Sequence, residues 1–144
     1  MLYIASDHHG VALKKKLAAF CTRKGIAFQD LGPETMEPVD YPDYAKKVVV
    51  QVQKNPRARG VLICRSGIGM LIAANRFSGI RAGSARTVKE AVRGRCEDKT
   101  NILVFAAGTL RATQAKTILT KWLATPFKPV TRYIRRIRKI EEKR

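Results

Sequence analysis

The sequence predicts an α/β protein: a five-stranded parallel, doubly wound sheet followed by one extra helix at the C-terminal end. Three observations carry that prediction. Short apolar, partly β-branched runs alternate with helix-length apolar stripes along the whole chain. The strand-like runs are nearly all apolar, as strands covered on both faces must be. The last segment is helical in spacing and basic, and no strand follows it. At 144 residues the chain lies in the single-domain range and can bury about two thirds of the surface its unfolded form exposes. Residues 1–144 are therefore read as one domain, with 130–142 as an appended basic helix.

The elements follow in order. Leu2–Ala5 is strand-like, and Val11 to Lys24 places Val11, Leu13, Leu17, Ala18, Phe20 and Cys21 on a helical stripe that Gly25 ends. Ile26–Asp30 returns to strand and completes a βαβ unit. The loop GPETMEPVDYPD, rich in proline and acidic residues, leads into a helix from about Tyr44 to Val52. Gly60–Cys64 is the third strand; the chain breaks at Arg65-Ser66-Gly67 and resumes as a helix over Ile68–Phe77. Gly79–Gly83 with Val88–Gly94, and Ile102–Ala106 with Ala112 to Leu123, are the fourth and fifth strand–helix pairs. Pro126 and Pro129 turn the chain before the final helix, Val130 to Glu142, which is expected to pack on the edge of its own domain or on a second subunit. The chain contains no internal repeat, low-complexity segment or interdomain linker.

Composition narrows the function. No apolar run approaches the ~20 residues of a membrane span, and the N-terminus lacks a charged leader with a long apolar stretch, so a soluble, cytoplasmic protein is expected. Three cysteines at wide spacing, Cys21, Cys64 and Cys96, form no CxxC pair and are expected to stay reduced. The net charge of +18, from 29 Lys and Arg against 11 Asp and Glu, points to an anionic partner or to a solvated basic surface. Nucleic acid is at most a non-specific partner: the chain has no RRM, KH or zinc motif and few aromatic residues.

In a doubly wound sheet the ligand site lies beyond the C-terminal ends of the strands. That rule selects Ser6-Asp7-His8-His9-Gly10, Cys64-Arg65-Ser66-Gly67-Ile68-Gly69 and Ala107-Gly108-Thr109. A cysteine at a strand tip just before a helix N-terminus sits in the positive end of the helix dipole and beside Arg65, which favours the thiolate of a base or nucleophile. Gly67 and Gly69 let successive N–H groups converge into an anion-binding nest. On the same residues, Cys64 also reads as a small buried hydrophobe and the glycines as a tight turn. Asp7, His8 and His9 suit sugar hydroxyls, a phosphate or a metal, or else a helix cap and a solvated loop. A metal would want a further ligand, and no histidine other than these two exists, so no metal is expected.

SDHHG at Ser6–Gly10, VDYPDYA at Val39–Ala45, GVLICRSGIG at Gly60–Gly69, AANRFSGIRA at Ala73–Ala82, TNILVFAAG at Thr100–Gly108 and TRYIRR at Thr131–Arg136 resemble, in content and order, the type B ribose 5-phosphate isomerases and the related galactose 6-phosphate isomerases. The resemblance covers nearly the whole chain. It implies a Rossmann-like three-layer sandwich and cofactor-independent aldose–ketose isomerisation of a phosphosugar. It also implies active sites at the subunit interface of a homodimer or dimer of dimers. By resemblance Cys64 is the base that works through a cis-enediolate, Ser66 the hydroxyl that assists proton movement, and the amides of Gly67, Ile68 and Gly69 the nest for the enediolate oxygen. Some members carry a glutamate one residue past the second glycine; Met70 stands there, so the cysteine version applies. Asp7 matches the residue facing the sugar ring oxygen and hydroxyls, His8 a phosphate ligand, and Tyr41 the tyrosine lining the sugar pocket. Arg132 and Arg136, one helical turn apart, match a phosphate grip, with Arg135 as a substitute and Arg111 as a third candidate.

One departure bears on chemistry. The family usually carries His-Asn before the fifth strand, the histidine opening the furanose ring, whereas Glu97 and Asp98 stand at those positions here. Glu97, or the additional His9, is then the candidate for ring opening; otherwise the protein acts on another aldose phosphate or only binds a phosphosugar. Arg138, Lys139, Lys143 and Arg144 read as solvated or subunit-facing surface.

Overall fold

The structure, a computed structural model, describes residues 1–142; Lys143 and Arg144 lie outside the described residues. Five parallel strands, β1 (Leu2–Ser6), β2 (Phe28–Asp30), β3 (Arg59–Cys64), β4 (Ala82–Ser84) and β5 (Ile102–Ala106), pair in the order β2-β1-β3-β5-β4. Alternate strand residues point to opposite faces. Leu2, Ile4, Val61, Ile63, Leu103 and Phe105 pack with α1 (Val11–Lys24), α4 (Val88–Glu97) and α5 (Ala112–Ala124). Leu62, Cys64, Ile102 and Val104 pack with α2 (Tyr41–Lys54) and α3 (Ile68–Asn75) on the other face. Three layers result, as the sequence predicts. Among the described residues no helix is long and apolar enough to cross a membrane.

Several boundaries differ from the sequence reading, each for a local reason. The second helix starts at Tyr41, not Tyr44, because Pro42 falls in its first turn, where a missing N–H costs nothing. The third helix stops at Asn75: that side chain turns away to bond both the N–H and the C=O of Ala82, at 2.9 and 3.0 Å. The fourth strand begins at Ala82 rather than Gly79, since the Asn101 side chain instead of a strand partner takes up Gly79 C=O and Arg81 N–H, both at 2.8 Å.

Thr100, just before β5, is wedged among three elements. Its hydroxyl accepts the indole N–H of fully buried Trp122 at 2.9 Å, and its carbonyl accepts from Arg95 at 3.1 Å. A Cβ on Gly83 would come within 3.1 Å of its methyl group. The final helix, α6 (Thr131–Glu141), packs on its own domain: Tyr133 is buried, and Glu141 accepts from Gly79 N–H at 3.1 Å and pairs with Arg81.

Candidate functional site

The strand order reverses between β1 and β3, which makes the C-terminal ends of those two strands the expected crevice. The residues after β1 are fixed against the tip of β3. Asp7 N–H donates to Ile63 C=O at 2.9 Å, and Gly10 passes so close that a Cβ there would meet Ile63 C=O at 2.7 Å. Asp7 caps the short 3-10 turn His8–Gly10 by accepting Gly10 N–H at 3.0 Å, while its other carboxylate oxygen lies 3.7 Å from His9 Nδ1. Val39 N–H donates to His8 Nδ1 at 3.2 Å, so in the neutral ring the proton sits on Nε2, a donor suited to an anion.

The turn after β3 is equally constrained. Cys64 is 4% exposed, and Gly67 N–H donates to its sulfur at 3.1 Å. Gly67 has φ 76°, the left-handed region, so a glycine is required where the strand turns into α3. The turn is braced from β5, with Ala107 N–H on Cys64 C=O at 2.8 Å and Gly108 N–H on Arg65 C=O at 2.9 Å. Ser66 Oγ accepts Ile68 N–H at a loose 3.3 Å. Two of the three expected nest amides are thus held by nearby side chains, and Gly69 N–H lies in the first turn of α3, where amides lack intrahelical acceptors. The Tyr41 ring covers this turn: a Cβ on Gly69 would fall 2.6 Å from it.

Asp7, His8, His9, Tyr41, Cys64, Ser66, Gly67, Ile68 and Gly69 therefore share one end of the sheet, as does Arg111 at the start of α5. Glu97, Asp98, Arg132 and Arg136 do not join them. Helix α4 runs back against the strands and delivers Glu97 and Asp98 to the opposite edge, one strand length or about 16 Å away. The last helix lies along that same edge, where Lys128 N–H bonds Cys96 C=O at 2.9 Å. Glu97 pairs with Arg93 at 3.4 Å. The Tyr133 hydroxyl, and beyond it the Glu97 carboxylate, raise the hold of Arg132 on its proton. One chain therefore carries the expected site residues in two groups at opposite edges of the sheet.

A cavity of about 660 Å³ opens beside His8, lined also by Pro38, Val39, Asp40, Asp43, Tyr44 and Lys47, with Cys64 outside its lining. Sequence reasoning missed this wall, although the acidic, proline-rich loop that builds it was conspicuous. Asp7, His8 and His9 bring ligand atoms within 4.8 Å of one another, closer than the sequence alone suggested. The Val39 bond leaves His8 Nε2 protonated, which works against a metal at that nitrogen.

Comparison with known proteins converges on one family. A family model described as Ribose/Galactose Isomerase matches residues 2–140. A putative sugar phosphate isomerase of Rickettsia bellii is 41% identical over 126 residues, 88% of each chain. The ribose-5-phosphate isomerase B of Escherichia coli is 36% identical over 84% of this chain and 81% of that one. A crystal structure of a ribose 5-phosphate isomerase from Thermotoga maritima superposes with TM-score 0.96 at 44% identity, covering 99% and 97% of the two chains. The ribose-5-phosphate isomerase B of Mycoplasma genitalium with bound ribulose-5-phosphate superposes with TM-score 0.92 at 34% identity, covering 97% and 93%.

Proposed function

The chain belongs to the ribose/galactose isomerase family, and from that premise we propose that it interconverts ribose 5-phosphate and ribulose 5-phosphate without a cofactor, with Cys64 as the base. The observation that carries this reading is the Cys64 sulfur at the β3 tip, met by Gly67 N–H and flanked by the fixed Asp7–His8 pair. The thiolate takes the C2 proton of the open-chain aldose, and the electron pair moves through C1 to O1, giving a cis-enediolate. Amides of the first turn of α3 stabilise its oxyanion, exchanging their loose side-chain partners for substrate oxygen. The Ser66 hydroxyl carries a proton between O1 and O2, and the thiol returns its proton to C1, so the reaction balances with nothing consumed.

His8 Nε2–H faces the phosphate. Arg132 and Arg136 complete the grip from a second copy of the chain, because their own copy places them at the far edge. Exposed Ile68 and Ile72, one turn apart on α3 beside the crevice, are the apolar contact for that copy. His9 opens the sugar ring: it stands at the Cys64 end of the sheet with its Nδ1 3.7 Å from the Asp7 carboxylate, whereas Glu97 is engaged by Arg93. Asp98 contacts sugar hydroxyls from the second copy.

The test is direct aldose-to-ketose turnover of ribose 5-phosphate, run beside galactose and allose phosphates, on wild type and Cys64→Ser. Serine keeps an acceptor for Gly67 N–H but not an ionisable thiol, so kcat should fall about 10²–10⁴-fold with KM little changed. A Cys64→Ser protein retaining most of its turnover places the base elsewhere. A second reading, a phosphosugar binder without turnover, is favoured by Glu97 and Asp98; it requires wild type itself to be inactive on every aldose phosphate while still binding them.

A further inference from the structure

A second cavity, of about 400 Å³, lies at the N-terminal edge of the sheet, away from Cys64. Its wall includes Arg59, Arg81, Arg95 and Lys99, together with Gln53, Ser78 and Asn101. The arginines are poorly compensated. Arg81 pairs with Glu141, whereas Arg95 donates to Thr100 C=O and Arg59 to the carbonyls of Pro56 and Ala58, and no second carboxylate pairs with them among the described residues. Arg95 is 7% exposed and lines the same cavity as Arg59 and Arg81. Burial first, and then the charges of Arg59 and Arg81, pull Arg95 down to about 10. Burial and Arg81 act on Arg59 in the same direction. Gathering like charges out of water costs free energy unless an anion offsets it.

We infer that this arginine cavity is a second anion site, distinct from the isomerase crevice, that takes a small phosphate-bearing ion of more than one charge. Forked guanidinium donors match phosphate oxygens, and the Asn101 and Gln53 amides and the Ser78 hydroxyl supply neutral partners around them. The volume suits a small ligand rather than a polymer. The ion has two possible sources, a free inorganic phosphate or diphosphate and the phosphomonoester of a sugar.

Calorimetric titration of the full-length protein with inorganic pyrophosphate tests this, with isomerase kinetics as the check on folding. The expected result is saturable binding of one ion per chain. Arg59→Gln should weaken it about tenfold or more while leaving kcat and KM for the sugar unchanged. Gln53→Glu, which adds a carboxylate to the cavity wall from an exposed position, should weaken it likewise, and Arg57→Gln, an equal loss of charge outside the cavity, should change it less than about twofold. Binding should persist in Arg132→Gln/Arg136→Gln protein. In that protein, ribose 5-phosphate binding more tightly than pyrophosphate identifies the phosphomonoester as the ion, and the reverse identifies the free diphosphate. Absence of saturable binding, equal effects of Arg59→Gln and Arg57→Gln, or loss of binding in the Arg132→Gln/Arg136→Gln protein overturns the inference.

Discussion

Two inactive variants of this chain should restore each other when mixed. One carries Cys64→Ser, which damages the crevice end; the other carries Arg132→Gln and Arg136→Gln, which damages the opposite edge. If each active site takes its crevice from one copy and its arginines from the other, a mixed dimer contains one site with both defects and one with neither. Unfolding and refolding the two chains together at equal concentration makes about half of all dimers mixed, so about a quarter of all sites are intact. Turnover of ribose 5-phosphate well below the wild-type KM, where loss of phosphate contacts is felt most, should therefore recover to about a quarter of the wild-type rate. Each variant refolded alone is the baseline. If all the residues acted within one chain, every site in every dimer would carry a defect, and the mixture would stay at the baseline; that result would refute the two-copy site.

Gly69→Ala should displace the Tyr41 ring, which a Cβ would meet at 2.6 Å. Because that ring is partly exposed it can swing outward, so KM should rise several-fold while the melting temperature moves little. Lys14→Met should destabilise the protein by about 1–3 kcal/mol in urea unfolding, because Lys14 is fully buried and its ammonium pairs with the partly exposed Asp30, whose carboxylate would keep only the Gly32 N–H. A loss below about 1 kcal/mol would mean that the pair is solvated in practice. His9→Ala should slow turnover of ribose 5-phosphate but not of an aldose phosphate too short to cyclise; equal losses on both would assign ring opening to another group.

Much of this was legible from the residues because strand alternation and helical stripes are local signals. Val11–Lys24 and Ile102–Ala106 came out at their observed boundaries. The misses occur where a side chain competes with the backbone: Asn101 and Asn75 shorten a strand and a helix through bonds that no periodicity reports. For the site, the Cys64 turn and the DHHG loop were legible as strand tips, since strand direction alone brings them together. The resemblance named Glu97, Asp98, Arg132 and Arg136 as site residues, but it did not show that topology places them at the other end of the same chain. Nor could a sequence show that Val39 N–H sets the His8 proton, because a backbone bond across 31 positions leaves no pattern.

Thr100 bears on how freely the neighbouring chemistry can drift. Its hydroxyl, carbonyl and methyl are each committed to a different element, which fixes the chain at the threshold of β5. Two residues earlier the backbone is already leaving α4, with Asp98 as its cap and Lys99 at φ 53°, and no core contact depends on which side chains stand at 97 and 98. The pair is insulated from the core: the ion pair Glu97 makes is with Arg93 on the same helix, so exchanging these two side chains should cost little folding stability. On the proposed reading, in which these two side chains meet the sugar from a second copy, the pair is a place where substrate preference can change on an unchanged frame.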